Sequence, residues 1–271
     1  MVARVRFEYP PPTTEPLFVT AHTFVIVFLC YHRLTTLSSQ VFMVDIIFYI
    51  LILLFSIVIH EVSHGFMAEY FGDDTARNEG RLTLNPLKHI DPFGSVILPA
   101  ILVITQAPFF FGWAKPVPYN PNNLRDIKWG TFWVASAGVL ANIFIAVIFG
   151  IGSRFIPIVQ EIKQFIVVSF LTNNMSGLSE ILSTGIWPKM FLIFSIIILV
   201  NLALAIFNLV PIPPLDGSKI LFNFLPSSMY AVIDFFEQYG FILLIIFIVF
   251  FADYLAPLLF FAFNLVTGLL F

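Results

Sequence analysis

Two histidines and a glutamate that share one helical turn are the residues best suited to chemistry in this sequence. They form the run His60-Glu61-Val62-Ser63-His64. Residues four apart lie on the same face of a helix, so both imidazoles can reach one metal ion. Glu61 lies about 100° round the helix from His60 and roughly 60° from His64, close enough to act on a water bound to that metal. This is the HExxH arrangement of zinc hydrolases.

The residues before this motif strengthen the metal interpretation. Residues 46–59 are apolar apart from Ser56. A glutamate and two histidines beside such a stretch would be costly to bury without a metal ion to compensate them. The alternative is a chance match on a surface helix, and this apolar setting argues against it.

A catalytic zinc site usually has three protein ligands and one open position, so a third ligand is expected elsewhere. Asp216 is the candidate, because it follows 26 uncharged residues, 190–215. Pro211, Pro213, Pro214 and Gly217 surround it and forbid a continuous helix. A broken helix within a membrane must line a cavity or be buried in protein. The alternative is a solvated aspartate in a proline-rich loop just outside the membrane.

The other candidate residues are weaker. His89 lies in a turn-rich loop between Pro86 and Pro92, and a ligand role is not favoured there. His22 and His32 are weaker still. Asn142 follows several small residues, which permit close helix packing. It is expected either to form hydrogen bonds between helices or to stabilise the oxyanion of a reacting peptide.

The composition is that of a membrane protein. Of 271 residues, 59% are hydrophobic and only 11% are charged, against about a quarter in soluble domains. The net charge of −3 offers no basic surface for nucleic acid. A single cysteine, Cys30, excludes an internal disulfide framework.

Stretches without charges indicate where the chain crosses the membrane, because a charge near the bilayer centre costs roughly 2.5–3.5 kcal/mol on insertion scales. Proline residues interrupt the stretch 96–112, and both Asp253 and Pro257 interrupt the stretch 240–271. We therefore predict an all-α polytopic membrane protein of about four to six transmembrane helices, with a broken helix at the active site. We also predict a short re-entrant or strand-like segment, with residues 96–112 as a broken or re-entrant element, and either a hairpin or a kinked span at the carboxyl terminus. The stretches are residues 46–59, 96–112, 129–153, 190–215 and 240–271.

The chain is predicted to form one domain over residues 43–271. Residues 1–42 differ from the rest, because their apolar part, residues 24–31, is too short to span a bilayer. They form an extension of doubtful status, and translation could instead begin naturally at Met43. The connections 72–92 and 115–128 hold six of the 13 basic residues, which favours a cytoplasmic placement for both.

The order and sequence of four segments resemble those of the site-2 protease family of intramembrane zinc metalloproteases. The resemblance extends from about residue 43 to 225 and is closest to compact prokaryotic members without PDZ or CBS domains. It rests on residues 60–65, on Gly-Arg-Leu-Thr-Leu-Asn-Pro at 80–86 continuing through 89–92, on Gly-Trp-Ala-Lys-Pro-Val-Pro at 112–118, and on 207–217.

The resemblance implies a multi-pass protein of the prokaryotic cell membrane that holds one zinc ion per chain. It would cleave transmembrane segments of substrate proteins, usually after another protease has trimmed them. His60, His64 and Asp216 would be zinc ligands and Glu61 the catalytic base. Asn142 would position substrate or stabilise the oxyanion, although Val139 stands where the family often has proline.

Five other functions can be compared with this one. A transporter could use a broken helix with an intramembrane aspartate, but would leave Glu61 and its two histidines unexplained. A catalytically inactive scaffold is disfavoured because all four catalytic positions are present. A di-iron hydroxylase needs roughly eight histidines and the chain has five, while the motifs of serine and aspartyl intramembrane proteases do not occur.

Overall fold

A computed structural model describes residues 41–105, 114–172 and 174–269. The chain is built from helices joined by short turns. Residues Pro92–Ile97 form a π-helical turn, and three short 3-10 turns cover Pro86–Lys88, Pro121–Asn123 and Ser227–Met229. The α-helices are α1 (Val41–Tyr70), α2 (Thr75–Asn78), α3 (Leu98–Ile104), α4 (Ile127–Arg154), α5 (Gln160–Leu171), α6 (Met175–Ser183), α7 (Ile186–Asn208), α8 (Asp216–Phe222) and α9 (Tyr230–Thr267).

Four helical segments are long and apolar enough to cross a membrane, which confirms the predicted class of polytopic helical membrane protein. They are Phe48–Tyr70, Ile127–Arg154, Ile186–Asn208 and Ser227–Phe251. The first three are half or more buried within the protein, whereas only 11% of the fourth is buried. The predicted site residues lie on or beside the three buried segments.

Helix α4 is the centre of the fold, because it packs against both α1 and α7 and also contacts α8 and α9. Small residues on α4, including Ala135, Ala137 and Ala146, are buried at these contacts. Close approach of backbones at small residues is the usual way that helices associate in membranes. The result is that polar side chains on α1, α4 and α7 face one another across short distances.

The predicted break before Asp216 is present. Helix α7 ends at Asn208, a turn-rich segment follows, and α8 begins at Asp216. A Cβ atom on Gly217 would clash with the carbonyl oxygens of Leu209 and Val210, so glycine lets α8 return close against the end of α7. This return directs the first residue of α8 towards α1.

The segment predicted as broken or re-entrant, 96–112, is described as far as residue 105. The π-helical turn leads into the seven-residue α3, which is too short to span a bilayer. Ile90 and Ala114 form an isolated antiparallel bridge, and the amide of Lys115 donates to the carbonyl of His89 at 2.8 Å. Within the described part of the chain this pairing extends no further into a β-strand.

The carboxyl-terminal region differs from one of its two predicted forms. A hairpin is wrong, because α9 runs as one helix from Tyr230 to Thr267 with Pro257 inside it. Proline removes one backbone hydrogen bond and strains a helix without necessarily reversing the chain. Apolar residues on both sides of Pro257 continue the helix. The proline therefore does not reverse the chain as the hairpin prediction assumed.

Several predictions lie outside the described residues. Residues 1–40, which include Cys30, His22 and His32, are among them, as are residues 106–113 with Gly112 and Trp113. The proposed extension 1–42 therefore stays a prediction.

A buried aspartate connects the end of α1 to the segment that precedes α4. Asp73 is fully buried and its carboxylate accepts hydrogen bonds from Thr75, from the amide of Asn120 at 2.7 Å and from the side chain of Asn123 at 2.8 Å. Asn120 and Asn123 are distant from Asp73 in sequence. One carboxylate thus fixes the position of the chain just after residues 114–118, which reach the predicted site.

Replacing Asp73 with asparagine should destabilise the protein by about 1–3 kcal/mol, because a charged acceptor of several bonds is lost. The measurement is the free energy of unfolding in detergent micelles at pH 7. Asp74→Asn is the matched control, because Asp74 is the exposed neighbour of Asp73. Equal stability of the two variants would contradict the role of Asp73.

The pH dependence of this difference follows from the pKa of Asp73. Burial raises this pKa, but hydrogen bonds from Thr75, Asn123 and Asn120 outweigh burial and hold it below its ordinary value. A lowered pKa in the folded state gives stability above the unfolded value of about 3.9, and that stability is lost as pH falls through the folded pKa. The difference in free energy of unfolding between wild type and Asp73→Asn should therefore be constant near neutral pH and become smaller below about pH 4.

Candidate metal centre

Three buried side chains from two helices converge at the centre of the molecule. His60 and His64 lie one turn apart on α1, and Asp216 is the first residue of α8. Asp216 Oδ2 lies 3.0 Å from His60 Nε2 and 3.3 Å from His64 Nε2. Within the described residues, this is the one group of three histidine, cysteine or carboxylate side chains placed to share an ion.

The other nitrogen of each imidazole is engaged away from this cluster. His64 Nδ1 lies 2.6 Å from the carbonyl oxygen of Val134, and His60 Nδ1 lies 2.8 Å from Asn142 Oδ1. A carbonyl oxygen can only accept, so Nδ1 of His64 carries the hydrogen. In the neutral ring, Nε2 beside Asp216 is then the nitrogen that would bind a metal ion.

The distances fit a tetrahedral metal ion. Zinc lies roughly 2.0–2.2 Å from histidine nitrogen and carboxylate oxygen, which puts neighbouring ligand atoms of a tetrahedron about 3.3 Å apart. The two distances from Asp216 Oδ2 are close to that value. Two histidines and one carboxylate also leave one position open, as in catalytic rather than structural zinc sites.

Gly138 on α4 leaves the space that an ion would need. A Cβ atom at this residue would lie 2.5 Å from Nε2 of both His60 and His64. No side chain can therefore occupy the place where the two nitrogens point. The sequence showed Gly138 only as one of several small residues suited to helix packing, and its position beside the ligand atoms required the tertiary structure.

Glu61 is buried next to this cluster, and one oxygen of its carboxylate is bonded to a backbone amide. Its Oε2 accepts a hydrogen bond of 2.9 Å from the amide of Val117. Arg81 holds the same segment, because its Nη2 donates to the carbonyls of Lys115 at 2.7 Å and Pro116 at 2.9 Å. The extended segment around Val117 and the histidine helix are thereby joined through Glu61.

The structure brings His60, Glu61, His64 and Asp216 together, with Asn142 in contact with His60 and His89 apart from the cluster. His89 is buried outside the cluster, and its Nε2 lies 2.9 Å from the carbonyl of Thr83. Burial lowers the pKa of His89, which favours a neutral ring that donates to this carbonyl. Asn142 is fully buried, and both ends of its amide contact protein groups, one of them on His60.

Sequence reasoning missed three contributors to the site. The amide of Val117 has no side-chain signal, so nothing in the sequence marks it. Arg81 was noted only as part of a family segment and as one of the basic loop residues. Asn201, which contacts Asn142, interrupts a long apolar stretch, and that interruption is a signal that could have found it.

A family model for Peptidase family M50 matches residues 48–251, three quarters of the chain. The chain belongs to peptidase family M50. This confirms the resemblance to site-2 proteases, and the matched region contains every residue of the cluster.

Two relatives give the same result. YwhC of Bacillus subtilis, whose name describes a zinc metalloprotease, is 36% identical over 197 residues that cover 73% of this chain and 78% of YwhC. Rip2 of Mycolicibacterium smegmatis, named in the same way, is 25% identical over 200 residues, 72% of this chain and 64% of Rip2. No solved structure gives a significant match.

Membership of family M50 makes the protein a zinc metalloprotease of the membrane. The cluster of His60, His64 and Asp216 is a possible zinc site whose distances and donor atoms suit that ion. The family match and the relatives confirm the prediction of zinc as the cofactor.

Substituting alanine for Gly138 should abolish zinc binding, because the added methyl would lie against both Nε2 atoms. Gly185→Ala is the control, because no atom lies within 4 Å of the position that its Cβ would take. The measurement is bound zinc per purified chain, with far-ultraviolet circular dichroism to verify folding. Full zinc occupancy in Gly138→Ala would rule out this position for the ion.

Proposed function

We propose that this M50 metalloprotease hydrolyses peptide bonds within or near the transmembrane segments of other membrane proteins. His60, His64 and Asp216 would hold the zinc ion, and Glu61 would act as the general base. The observation that carries the proposal is the convergence of these buried groups on and between helices that are apolar enough to span the bilayer. A transporter or scaffold would have no use for an acidic side chain beside such a cluster.

A zinc ion at these ligands supplies a Lewis acid that makes a water molecule nucleophilic near neutral pH. Glu61 accepts the proton from the attacking water and transfers it to the departing amine of the substrate. The amide of Val117 donates to Oε2 of Glu61 and so fixes the position of the carboxylate beside the cluster. Arg81 keeps Val117 in place through the two preceding carbonyls.

The placement of the cluster supports a membrane-embedded substrate. His60 and His64 lie within the spanning segment of α1, and Asp216 follows the spanning segment of α7. A peptide that reaches the site must therefore enter among apolar helices. A substrate helix conceals its carbonyls in its own hydrogen bonds, so the peptide must unwind before attack.

We further place the catalytic domain at residues 43–271, with residues 1–42 as an extension that is not required for chemistry. The match to family M50 over residues 48–251 supports these bounds. The relatives are bacterial proteins, which supports the cell membrane of a prokaryote as the location. Prior trimming of the substrate by another protease is part of the same proposal.

Replacing Glu61 with glutamine should preserve zinc binding and reduce cleavage by about 100-fold or more, because general base catalysis typically contributes 10²–10⁴-fold. The assay uses purified protein in detergent and in liposomes, with zinc per chain and the rate of cleavage as readouts. Glu69→Gln is the matched control, because Glu69 lies on the same helix and pairs with Arg77 instead of the site.

The substrate in this assay is a model protein with one transmembrane helix, and mass spectrometry locates the cleaved bond. We expect the bond to lie within or next to that helix. Equal cleavage of an unfolded soluble protein, or retained activity in Glu61→Gln, would contradict the proposal.

Replacing Asp216 with asparagine should weaken zinc binding by at least about 100-fold, since even outer contacts of metal ligands contribute roughly 10–100-fold. The amide keeps the size of the side chain but removes the negative charge. Asp234→Asn, at an exposed position near the start of α9, serves as the control. Zinc affinity is measured by competition with a chelator, and unchanged affinity in Asp216→Asn would point to a different third ligand.

A further inference from the structure

A line of buried polar side chains connects His60 to the middle of α7. His60 and Ser56 lie one turn apart on α1, Asn142 lies on α4, and Asn201 lies on α7. Both asparagines are fully shielded from solvent, and Ser56 is 5% exposed. Buried amides between apolar helices are costly unless every polar atom is paired. The hydrogen-bond partners of these side chains therefore indicate what each side chain does.

The contacts form a continuous series of hydrogen bonds. Asn142 Oδ1 lies 2.8 Å from His60 Nδ1, and Asn142 Nδ2 donates to Asn201 Oδ1 at 3.1 Å. Asn201 Nδ2 donates to Ser56 Oγ at 3.0 Å and to the carbonyl oxygen of Ile197 at 2.9 Å. The hydroxyl of Ser56 donates in turn to the carbonyl of Ile52.

The direction of this series is set at its far end. The carbonyl oxygen of Ile197 can only accept, so the amide nitrogen of Asn201 must face it. Asn201 Oδ1 is then turned towards Asn142, and as an acceptor it requires the nitrogen of Asn142. Asn142 must therefore present its oxygen to His60. An oxygen at that place requires a hydrogen on Nδ1 of His60. In the neutral ring Nε2 is then the nitrogen without a hydrogen, and it lies 3.0 Å from Asp216 Oδ2.

We infer that Asn142 and Asn201 are positioning residues that fix the metal-binding tautomer of His60. The carbonyl of Ile197 orients Asn201, Asn201 orients Asn142, and Asn142 orients the imidazole. This inference rests on the proposed role of His60 as a zinc ligand. Under it Asn142 acts through His60 and not on the substrate, and Asn201 acquires a role that its sequence position alone does not reveal.

The two histidines are thus held by different means. His64 donates directly to a backbone carbonyl, that of Val134, so its tautomer needs no further support. His60 donates to a side-chain amide, which could rotate by half a turn and offer nitrogen in place of oxygen. That rotation would favour a hydrogen on Nε2 and would remove the lone pair needed for the metal. Asn201 prevents it.

The test compares zinc affinity in Asn201→Leu and in wild type. Leucine fills a similar volume but removes the acceptor that orients Asn142. We expect affinity to fall about 10- to 100-fold, the usual effect of losing an outer contact to a metal ligand. Affinity is measured by chelator competition, and cobalt substitution gives a visible spectrum that reports ligand geometry without reference to activity.

Two serine variants serve as controls. Ser195→Ala removes a buried hydroxyl on the same helix, which donates only to the carbonyl of Phe191 among its described bonds. Ser56→Ala removes one partner of Asn201 but leaves the carbonyl of Ile197 to orient it. Both variants should bind zinc within about threefold of wild type. A large loss in Ser56→Ala would contradict the control exerted by Ile197.

A second substitution separates orientation from packing. In Asn142→Asp/Asn201→Leu, either carboxylate oxygen can accept the hydrogen of His60 Nδ1, so no orienting partner is needed. This double variant should recover most of the zinc affinity and the cobalt spectrum lost in Asn201→Leu. A merely structural role for Asn201 predicts no recovery. If Asn201→Leu does not fold, Asn201→Ser replaces it, because serine can bond to Ile197 but is too short to reach Asn142.

The outcomes distinguish this inference from the proposed function. Equal zinc affinity in wild type and Asn201→Leu, or no recovery in the double variant, would overturn the role of the two asparagines and leave the protease intact. A wild-type protein that binds no zinc would instead overturn the site itself, and with it the inference. Reduced affinity with recovery in the double variant would establish the tautomer control.

Discussion

Two imidazoles and a carboxylate that share one small space in an apolar interior need a cation to compensate them. The positions of the surrounding helices depend on this requirement. Two imidazole nitrogens and a carboxylate oxygen face one another around a space that Gly138 leaves open. Water is scarce between packed apolar helices, so each polar group must have a fixed partner. The zinc ion of an M50 metalloprotease would meet this requirement, because the helices around the cluster hold His60, His64 and Asp216 at distances that suit zinc.

Supporting contacts come from three directions. A backbone carbonyl of α4 holds His64, an asparagine of α4 holds His60, and the return of the chain at Gly217 brings Asp216 to both. Helix α4 therefore contributes to the centre without supplying a ligand. Its small residues permit the close approach that makes short hydrogen bonds possible.

Much of the site could be predicted because the informative residues contradict their surroundings. His60, Glu61 and His64 interrupt an apolar stretch, and Asp216 follows prolines that no continuous helix could contain. Of the two forms predicted for the carboxyl terminus, a hairpin or a kinked span, the hairpin was wrong, because apolar residues on both sides of Pro257 continue the helix. Asn142 was marked as polar among small residues, but its two bonding partners were hidden, since they lie far away in sequence.

The class of protein, its membrane setting and the candidate ligands could be predicted from the sequence, because composition and the spacing of ionisable residues are local properties of the chain. The packing of the helices sets which nitrogen of each histidine faces Asp216, since the other nitrogen is bonded to a group on α4. It also places Gly138 beside both Nε2 atoms and the amide of Val117 against Glu61. These facts concern distances between helices, and no pattern along a single helix contains them.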